Sequence, residues 1–120
     1  MKLRIKGNTV RLRLTRPEVT EIAAGREVRE VTEFSVTSRF IYCLQSSTSE
    51  AVEAYFNDNC MLINIPQEMS NAWASSNDVG IEAEQQQLKI IIEKDFACLS
   101  PRGEEDSDTF ENPLSGQSKC

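Results

Sequence analysis

The carboxylates beyond residue 100 are the side chains best suited to binding a metal ion. Residues 104–111 contain five closely spaced Asp or Glu, and oxygen ligands at alternate positions are what Ca²⁺ or Mg²⁺ requires. A calcium-binding loop also needs a glycine at its bend and a bidentate glutamate at its end, and neither is correctly placed here. We therefore interpret the stretch as a solvated acidic arm, and a cation site is the less favoured alternative.

A second group of charged residues could support acid–base chemistry. Glu93 and Asp95 flank Lys94, and Arg102 follows shortly after; carboxylates in such a group change their pKa when they are buried. The chain has no histidine, and Cys98 lies between apolar neighbours, so no activated nucleophile is evident. The pattern favours a salt-bridge cluster at a strand end. We predict no catalytic residue, no bound metal and no cofactor.

The cysteines do not form a recognisable metal or disulfide framework. They are widely spaced, whereas a structural zinc site uses closely paired cysteine or histidine ligands. Disulfides are also disfavoured in a reducing cytosol. We expect Cys43 and Cys98, which have apolar neighbours, to be buried as small hydrophobic side chains. The full set is Cys43, Cys60, Cys98 and Cys120.

Basic residues near the start of the chain form the candidate binding surface. On neighbouring strands they could hold a phosphate or an acidic peptide, or they could hold the acidic arm of this chain. We favour the arm because this contact accounts for two charge anomalies. Residues 1–40 contain nine basic and five acidic residues, a net charge of +4, whereas residues 41–120 contain four and fourteen, a net charge of −10. The candidate residues are Arg4, Lys6, Arg11 and Arg13.

The overall charge bears on the choice of partner. A net charge of −6 and an isoelectric point near 4.7 disfavour nucleic acid, because backbone phosphates require a positive potential. No secretory signal is evident at the start of the sequence, and no apolar run approaches the roughly 18 residues of a membrane span. We therefore expect a cytoplasmic protein without membrane contacts.

The candidate residues lie on the first two of ten predicted elements. Apolar and basic residues alternate on both sides of Gly7-Asn8, which indicates a β-hairpin. Thr15 and Glu18 match a capping box, and the helix that they begin should end at Gly25. Strands are predicted at 28–34 and 39–44, followed by a polar linker at 45–49. The remaining elements are strands 52–56 and 61–65, a helix at 67–75, and strands 79–84 and 88–93.

The order of elements repeats after about 51 residues. At that offset Leu12 aligns with Ile63, and Ile22 aligns with Trp73. We predict an α+β fold, mainly antiparallel β-sheet with two short helices, in which two pseudo-symmetric hairpin-helix-strand repeats close over a shared core. One domain should span 1–99, with repeats at about 1–45 and 50–99, followed by a partly disordered acidic arm at 100–120. The inner side of the second helix should carry Met69, Ala72 and Trp73.

Three stretches of the chain resemble a family of short, uncharacterised bacterial proteins, a domain of unknown function. They are the opening Met-Lys-Leu-Arg-Ile-Lys-Gly-Asn-Thr-Val-Arg-Leu-Arg-Leu-Thr, the stretch Trp-Ala-Ser-Ser-Asn-Asp-Val-Gly-Ile-Glu from residue 73, and Glu-Lys-Asp-Phe-Ala-Cys-Leu from residue 93 with the arm through 113. The resemblance covers nearly the whole chain and implies no activity.

A second resemblance concerns the motif in the second repeat. Leu-Ile-Asn-Ile-Pro-Gln-Glu-Met from residue 62, a short helix, and then Asn-Asp-Val-Gly-Ile-Glu from residue 77 are similar to the swapped-hairpin AbrB/MazE-like transcription factors and antitoxins. The first repeat has Leu14-Thr15 where this motif has Ile-Pro. The resemblance implies DNA binding through basic residues near an amino-terminal hairpin. It also implies that the two repeats of this chain form a tandem pair that imitates the dimer of that family.

These observations rank three hypotheses for function. The first is a non-enzymatic cytoplasmic binding or regulatory module that acts through contacts with an unidentified protein partner, with a homodimer as one form of that contact. The second is a regulator that binds nucleic acid through the basic hairpin. The third is an enzyme or metal-binding protein that uses Glu93, Asp95 and the carboxylates of the acidic arm.

Overall fold

The computed structural model describes residues 1–96, which form eight strands and two helices as predicted. The same order of two strands, one helix and two strands occurs twice. The first set is β1 (Lys2–Lys6), β2 (Thr9–Leu14), α1 (Arg16–Ala23), β3 (Val28–Glu33) and β4 (Arg39–Ser47). The second set is β5 (Glu53–Asn57), β6 (Cys60–Pro66), α2 (Gln67–Ser75), β7 (Gly80–Gln85) and β8 (Leu88–Lys94).

The strands form two four-stranded sheets, and each sheet takes one hairpin from each repeat. Sheet A has the order β1-β2-β8-β7, and sheet B has the order β3-β4-β6-β5. The outer pairs are antiparallel, whereas the central pairs, β2 with β8 and β4 with β6, are parallel. The α+β class is therefore confirmed. The two repeats interlock by exchanging hairpins. The central strands of sheet A therefore pair residues about 80 positions apart in the chain, and those of sheet B pair residues about 20 positions apart.

The alternation of side chains along the strands decides which face of each sheet is buried. In β2, Val10, Leu12 and Leu14 are buried while the arginines between them face outward. In β8, Ile90 and Ile92 have no exposed surface. Successive strand residues point to opposite faces, so these inward positions form a continuous apolar layer between the sheets.

The core contains residues from both sheets and both helices. Leu12, Ile63 and Ile22 are fully buried, and Trp73 is 2% exposed. All four belong to one cluster of buried hydrophobic residues, and burying a side chain of this size contributes roughly 1.5–3 kcal/mol. The equivalent positions of the two repeats therefore meet in a shared core, as the sequence predicts.

The predicted capping box begins α1. The Thr15 backbone N–H donates to Glu18 Oε1 over 2.9 Å, and Pro17 lies in the first turn. Ile22 is completely buried on the inner side. The helix ends at Ala23, and Gly25 then adopts a φ of +85°, a left-handed conformation that glycine tolerates best.

The inner side of α2 differs from the prediction. Met69 is 40% exposed and Ala72 is exposed, whereas Ser70 and Trp73 are buried. The prediction is confirmed for Trp73 and wrong for Met69 and Ala72, because it placed apolar residues inward by type alone. Ser70 is small enough for a close-packed position, and its hydroxyl donates to the Gln67 carbonyl over 2.9 Å. This bond removes the cost of burying an unsatisfied hydroxyl.

The strand β4 is longer than predicted. The segment 45–47 was expected in a polar linker, but it continues β4 in parallel register with β6 as far as the Ser47–Pro66 pair. Gln45 Nε2 donates to Asn64 Oδ1 over 2.9 Å, and the Ser46 hydroxyl donates to the Ile22 carbonyl over 2.7 Å. Polar side chains are stable in this strand because they have partners across the sheet and on α1.

Two contacts join the sheets at their edges. Gln85 of β7 donates from Nε2 to the Ala54 carbonyl over 2.9 Å, and its Oε1 accepts from the Ala54 N–H over 2.8 Å. The α-amino group of Met1 contacts Glu18 and lies 2.9 Å from Glu30 Oε2. Polar groups thus connect β7 to β5 and the start of β1 to β3 and α1.

Candidate functional site

The four predicted binding residues all lie on the outer face of sheet A. Arg4 and Lys6 occupy outward positions of β1, and Arg11 and Arg13 occupy outward positions of β2. Arg4 is directly opposite Arg11 in the antiparallel pair. Lys2, which precedes them, is opposite Arg13. We call the surface formed by Lys2, Arg4, Lys6, Arg11 and Arg13 the basic face.

One acidic residue neutralises part of the basic face. Parallel pairing places Glu93 beside Arg13, and Glu93 Oε1 lies 3.1 Å from Arg11 Nη1 and 3.0 Å from Arg13 Nη2. Arg13 Nε also donates to this oxygen over 3.2 Å. The Glu93 side chain is only 15% exposed. Two of the four predicted cations are therefore held in place by a carboxylate of the other repeat.

The salt-bridge cluster predicted around Glu93 and Asp95 has different partners from those expected. The Lys2 ammonium lies 3.3 Å from Asp95 Oδ2, and Glu93 pairs with the arginines of β2. Arg102, Cys98, Cys120 and the acidic arm lie outside the described residues. Sequence reasoning missed the partners from β1 and β2 because they depend on which strands are neighbours. The signal that could have indicated them is the opposite charge at the end of the two strands, with Arg11 and Arg13 in β2 and Glu93 in β8.

The charge of sheet A changes from one edge to the other. The outward positions of β1 and β2 are basic, those of β8 are mixed, and Glu82 and Glu84 occupy outward positions of the edge strand β7. Ile91 lies between Arg11 and Glu82 in this arrangement, and it is 6% exposed. The positive potential is therefore limited to about two strands, a width of roughly 10 Å.

A shallow cavity lies on the basic face near the tip of the first hairpin. It has a volume of about 250 Å³ and is lined by Arg4, Lys6, Thr9 and Arg11. Asn8 fixes this tip to the tip of the β7–β8 hairpin, because its carbonyl accepts from the Lys89 N–H over 2.8 Å and its side chain donates to the Gln87 carbonyl. Three cations and a hydroxyl around one concavity favour an anionic ligand.

The outer face of sheet B has an apolar centre. Adjacent positions on its four strands place Cys43 beside Leu62 and Leu62 beside Tyr55, with Val31 beside Ile41 in the next row. Val31 and Tyr55 are each 46% exposed. We call the set Val31, Ile41, Cys43, Tyr55, Cys60 and Leu62 the apolar face. Exposed apolar surface of this kind is typical of protein contacts.

The thiol of Cys43 is buried in the apolar face, as predicted for this residue. It is 2% exposed and is not in a disulfide. Burial raises the pKa of Cys43, and the Glu27 carboxylate raises it further against the opposing effect of Arg29. Since the thiolate is the nucleophile, the raised pKa makes Cys43 a poor one.

Metal binding finds no support in the part of the chain that the structure describes. Residues 1–96 contain no group of three or more cysteine, aspartate or glutamate side chains positioned to hold an ion. Within the same residues, neither helix is long and apolar enough to cross a membrane.

Comparison with known proteins identifies the family of the chain. A family of unknown function (DUF7009) matches residues 1–114, and the chain belongs to this family. The predicted resemblance to an uncharacterised family is therefore confirmed. A search of curated proteins gives no match. The family carries no established activity to this chain, so its function must be argued from the surfaces described above.

Proposed function

We propose that the protein is a non-enzymatic, cytoplasmic binding module that acts through protein contacts, and that its basic face holds an acidic polypeptide segment. The observation that carries this proposal is the cavity of about 250 Å³ that three cations line on an otherwise flat sheet. Arg11 is already fixed by Glu93, so its donors are oriented before a ligand arrives. Charge-assisted hydrogen bonds from such donors are stronger than neutral ones.

The distribution of charge favours an acidic peptide over a nucleic acid. A nucleic acid needs positive potential along an extended path of phosphates, whereas Glu93, Glu82 and Glu84 border the basic face on one side. A short peptide in an extended conformation needs only the two strands that are basic. Its carboxylates can also alternate with neutral residues to match the spacing of the cations.

The acidic arm of the chain supplies a suitable segment. Residues 104–111 have the sequence Glu-Glu-Asp-Ser-Asp-Thr-Phe-Glu. Glu104 follows Phe96 by eight positions, and eight fully extended residue steps reach about 26–29 Å. This exceeds the roughly 20 Å length of strand β8. We propose that the arm, as a segment distinct from the domain at 1–99, occupies the basic face and competes there with an external partner.

The test uses a fluorescein-labelled peptide with the sequence of residues 104–111. It is titrated into the full chain and into a variant whose five acids at 104–111 are changed to Gln or Asn. We expect the neutralised variant to bind at low salt and the unchanged chain to bind about tenfold more weakly, a difference of about 1.4 kcal/mol. Adding Lys6→Glu to the neutralised variant should weaken binding at least tenfold, measured by fluorescence anisotropy.

Arg39→Glu is the matched control, because it makes the same charge change on sheet B; it should leave the affinity within twofold. Failure of the neutralised variant to bind the peptide would contradict the proposal. A 20-base-pair duplex could instead bind more tightly than the peptide, and Lys6→Glu could weaken that binding. This result would favour the alternative, a nucleic-acid-binding regulator. The exchange of hairpins between the repeats supports that alternative, since it agrees with the predicted likeness to swapped-hairpin factors.

A second protein contact is proposed at the apolar face, where we infer that a second copy of this chain binds. Four strands spaced by about 4.8 Å make the face about 19 Å wide, and its apolar side chains occupy only two adjacent rows across the strands. Its area is therefore smaller than the roughly 800 Å² per partner of a stable interface. The surrounding residues are self-complementary, because Arg29 and Arg39 lie on the same face as Glu33 and Glu53. These features support a weak homodimer.

A further inference from the structure

The two repeats contain cavities at equivalent positions. The first cavity, of about 490 Å³, opens where β2 and β8 end and α1 begins; its lining includes Leu14, Arg16 and Lys94. The second cavity, of about 460 Å³, opens where β4 and β6 end and α2 begins; its lining includes Ser47 and Gln67. Arg16 and Gln67 are 51 residues apart, so they are counterparts in the repeat.

The chemistry of the two cavities has diverged. The first has apolar walls from Leu14, which is fully buried, Val19 and Phe96. The second is lined by hydroxyls, Pro66, an amide and the carboxylates of Glu50 and Glu68. Cavities of a few hundred Å³ with apolar walls and few polar groups are typical of small-molecule sites. The first cavity has four apolar lining residues beside six polar or charged ones, whereas Pro66 is the one apolar residue in the lining of the second. The first cavity is therefore the better match for a ligand with an apolar body.

Charge distinguishes the cavities further. Arg16 makes no ion pair with any residue between 1 and 96. Lys94 Nζ is held by the Ser76 carbonyl at 2.8 Å and lies 5.9 Å from the centre of the Trp73 ring. Asp95, the carboxylate in this lining, is paired with Lys2. A guanidinium beside apolar walls is thus available to an anion, whereas the second cavity carries two carboxylates.

We propose that the first cavity binds a small organic carboxylate with an apolar body. Arg16 would hold the carboxylate, since its planar fork matches the geometry of that group. Val19 and Phe96 would contact the hydrocarbon part. The proposal is independent of the basic face, because none of these residues belongs to it.

The test titrates octanoate into the full chain and follows two signals. Isothermal titration calorimetry measures the affinity. Fluorescence of Trp73, the single tryptophan of the chain, reports on Lys94, which lies over its ring and lines the cavity. We expect saturation with a dissociation constant below about 1 mM. Arg16→Gln introduces the residue found at the equivalent position of the second repeat, and it should weaken binding about tenfold. Octan-1-ol, which lacks the carboxylate, should bind at least tenfold more weakly.

Glu68→Gln, in the second cavity, is the control variant and should change the affinity less than twofold. Circular dichroism checks that the folded structure of Arg16→Gln is unchanged, as expected for an exposed residue. Absence of both heat and fluorescence change with 2 mM octanoate, about twice the expected limit, would overturn the proposal. An Arg16→Gln variant that binds octanoate as tightly as the unchanged chain would overturn it as well.

Discussion

Glu18 shows how one side chain can connect two parts of the chain. Its Oε1 accepts from the Thr15 N–H at the start of α1, and its Oε2 contacts the α-amino group of Met1. The amine is also 2.9 Å from Glu30 of β3. A local signal, the capping box, therefore coincides with a long-range contact that no spacing rule predicts.

The ionisation of Glu18 is coupled to that of Met1. Burial tends to raise the pKa of Glu18, but hydrogen bonds from the Met1 amine and the Thr15 N–H outweigh it, so the pKa is lowered from 4.5. Burial tends to lower the pKa of the Met1 amine, but Glu18 and Glu30 outweigh it, so the pKa is raised from 8.0. The pair therefore stabilises the fold most between these two values, and its contribution is lost as the pH falls through the lowered pKa of Glu18 or rises through the raised pKa of Met1.

We predict that Glu18→Gln lowers the free energy of unfolding by about 1 kcal/mol at pH 7, because it removes the charge and keeps the capping acceptor. The difference should shrink as the pH falls through the lowered pKa of Glu18, because both chains then have a neutral side chain. Glu18→Ala should cost a further ~1 kcal/mol, since it also removes the cap. Urea unfolding at several pH values measures these quantities. A loss for Glu18→Gln that is equal at pH 3 and pH 7 would contradict the role of the ion pair.

At the scale of elements, the structure shows which local signals were sufficient. The helix α2 has the predicted bounds, yet its buried side is centred on Ser70 and Trp73. Periodicity locates a helix well, but the apolar residues of α2 are too few to determine its rotation. The polar end of β4 was not predicted for a related reason. Gln45 and Ser46 are not typical strand residues, and only their partners on β6 and α1 explain why they belong to the strand.

A single glutamine connects the edges of the two sheets, and this contact can be tested. The side-chain amide of Gln85 makes two hydrogen bonds to the backbone of Ala54, in the way that a neighbouring strand would. We predict that Gln85→Ala lowers the free energy of unfolding by about 1–2 kcal/mol, because both backbone groups of Ala54 lose their partner. Hydrogen exchange at the Ala54 amide should become faster.

Gln87→Ala is the control for this variant, since Gln87 is exposed and its contact to Asn8 uses the backbone carbonyl. Its stability should stay within about 0.5 kcal/mol of the unchanged chain. Equal exchange rates at Ala54 in the two variants would show that Gln85 does not hold the edges together.

At the scale of the whole molecule, the two outer faces have different chemistry. The outer face of sheet A is charged and contains the basic face, whereas that of sheet B contains the apolar face. Each outer face combines strands of both repeats, so duplication of a hairpin-helix-strand unit does not produce two equal surfaces. The proposed contacts with an acidic segment and with a second copy can therefore occur at the same time.

The proposed homodimer predicts a concentration-dependent mass. Sedimentation equilibrium should show self-association with a dissociation constant above about 1 µM, because the apolar face is small. Leu62→Lys places a charge in the centre of that face and should make the chain monomeric at all concentrations. Met69→Lys, which alters an exposed apolar residue on α2, is the control and should leave association unchanged. Self-association that persists in Leu62→Lys would exclude the apolar face as the dimer contact.

The sequence by itself determined the local features of this protein. The alternation at Val10, Leu12 and Leu14 and the capping box at Thr15 are short-range patterns, and the elements follow from them. Comparing such patterns along the chain aligns Ile22 with Trp73, which both lie in the core. Backbone periodicity and turn chemistry act over a few residues, so they can be read from the chain.

Only the tertiary structure decided which strands are neighbours. Parallel pairing of β2 with β8 brings Glu93 to Arg11 and Arg13 across about 80 positions of sequence, and it limits the basic face to two strands. The same exchange of hairpins places the ends of β2 and β8 beside α1 and forms the cavity next to Arg16. Local patterns do not specify these contacts, because several pairings of the same amphipathic strands would bury equivalent apolar faces.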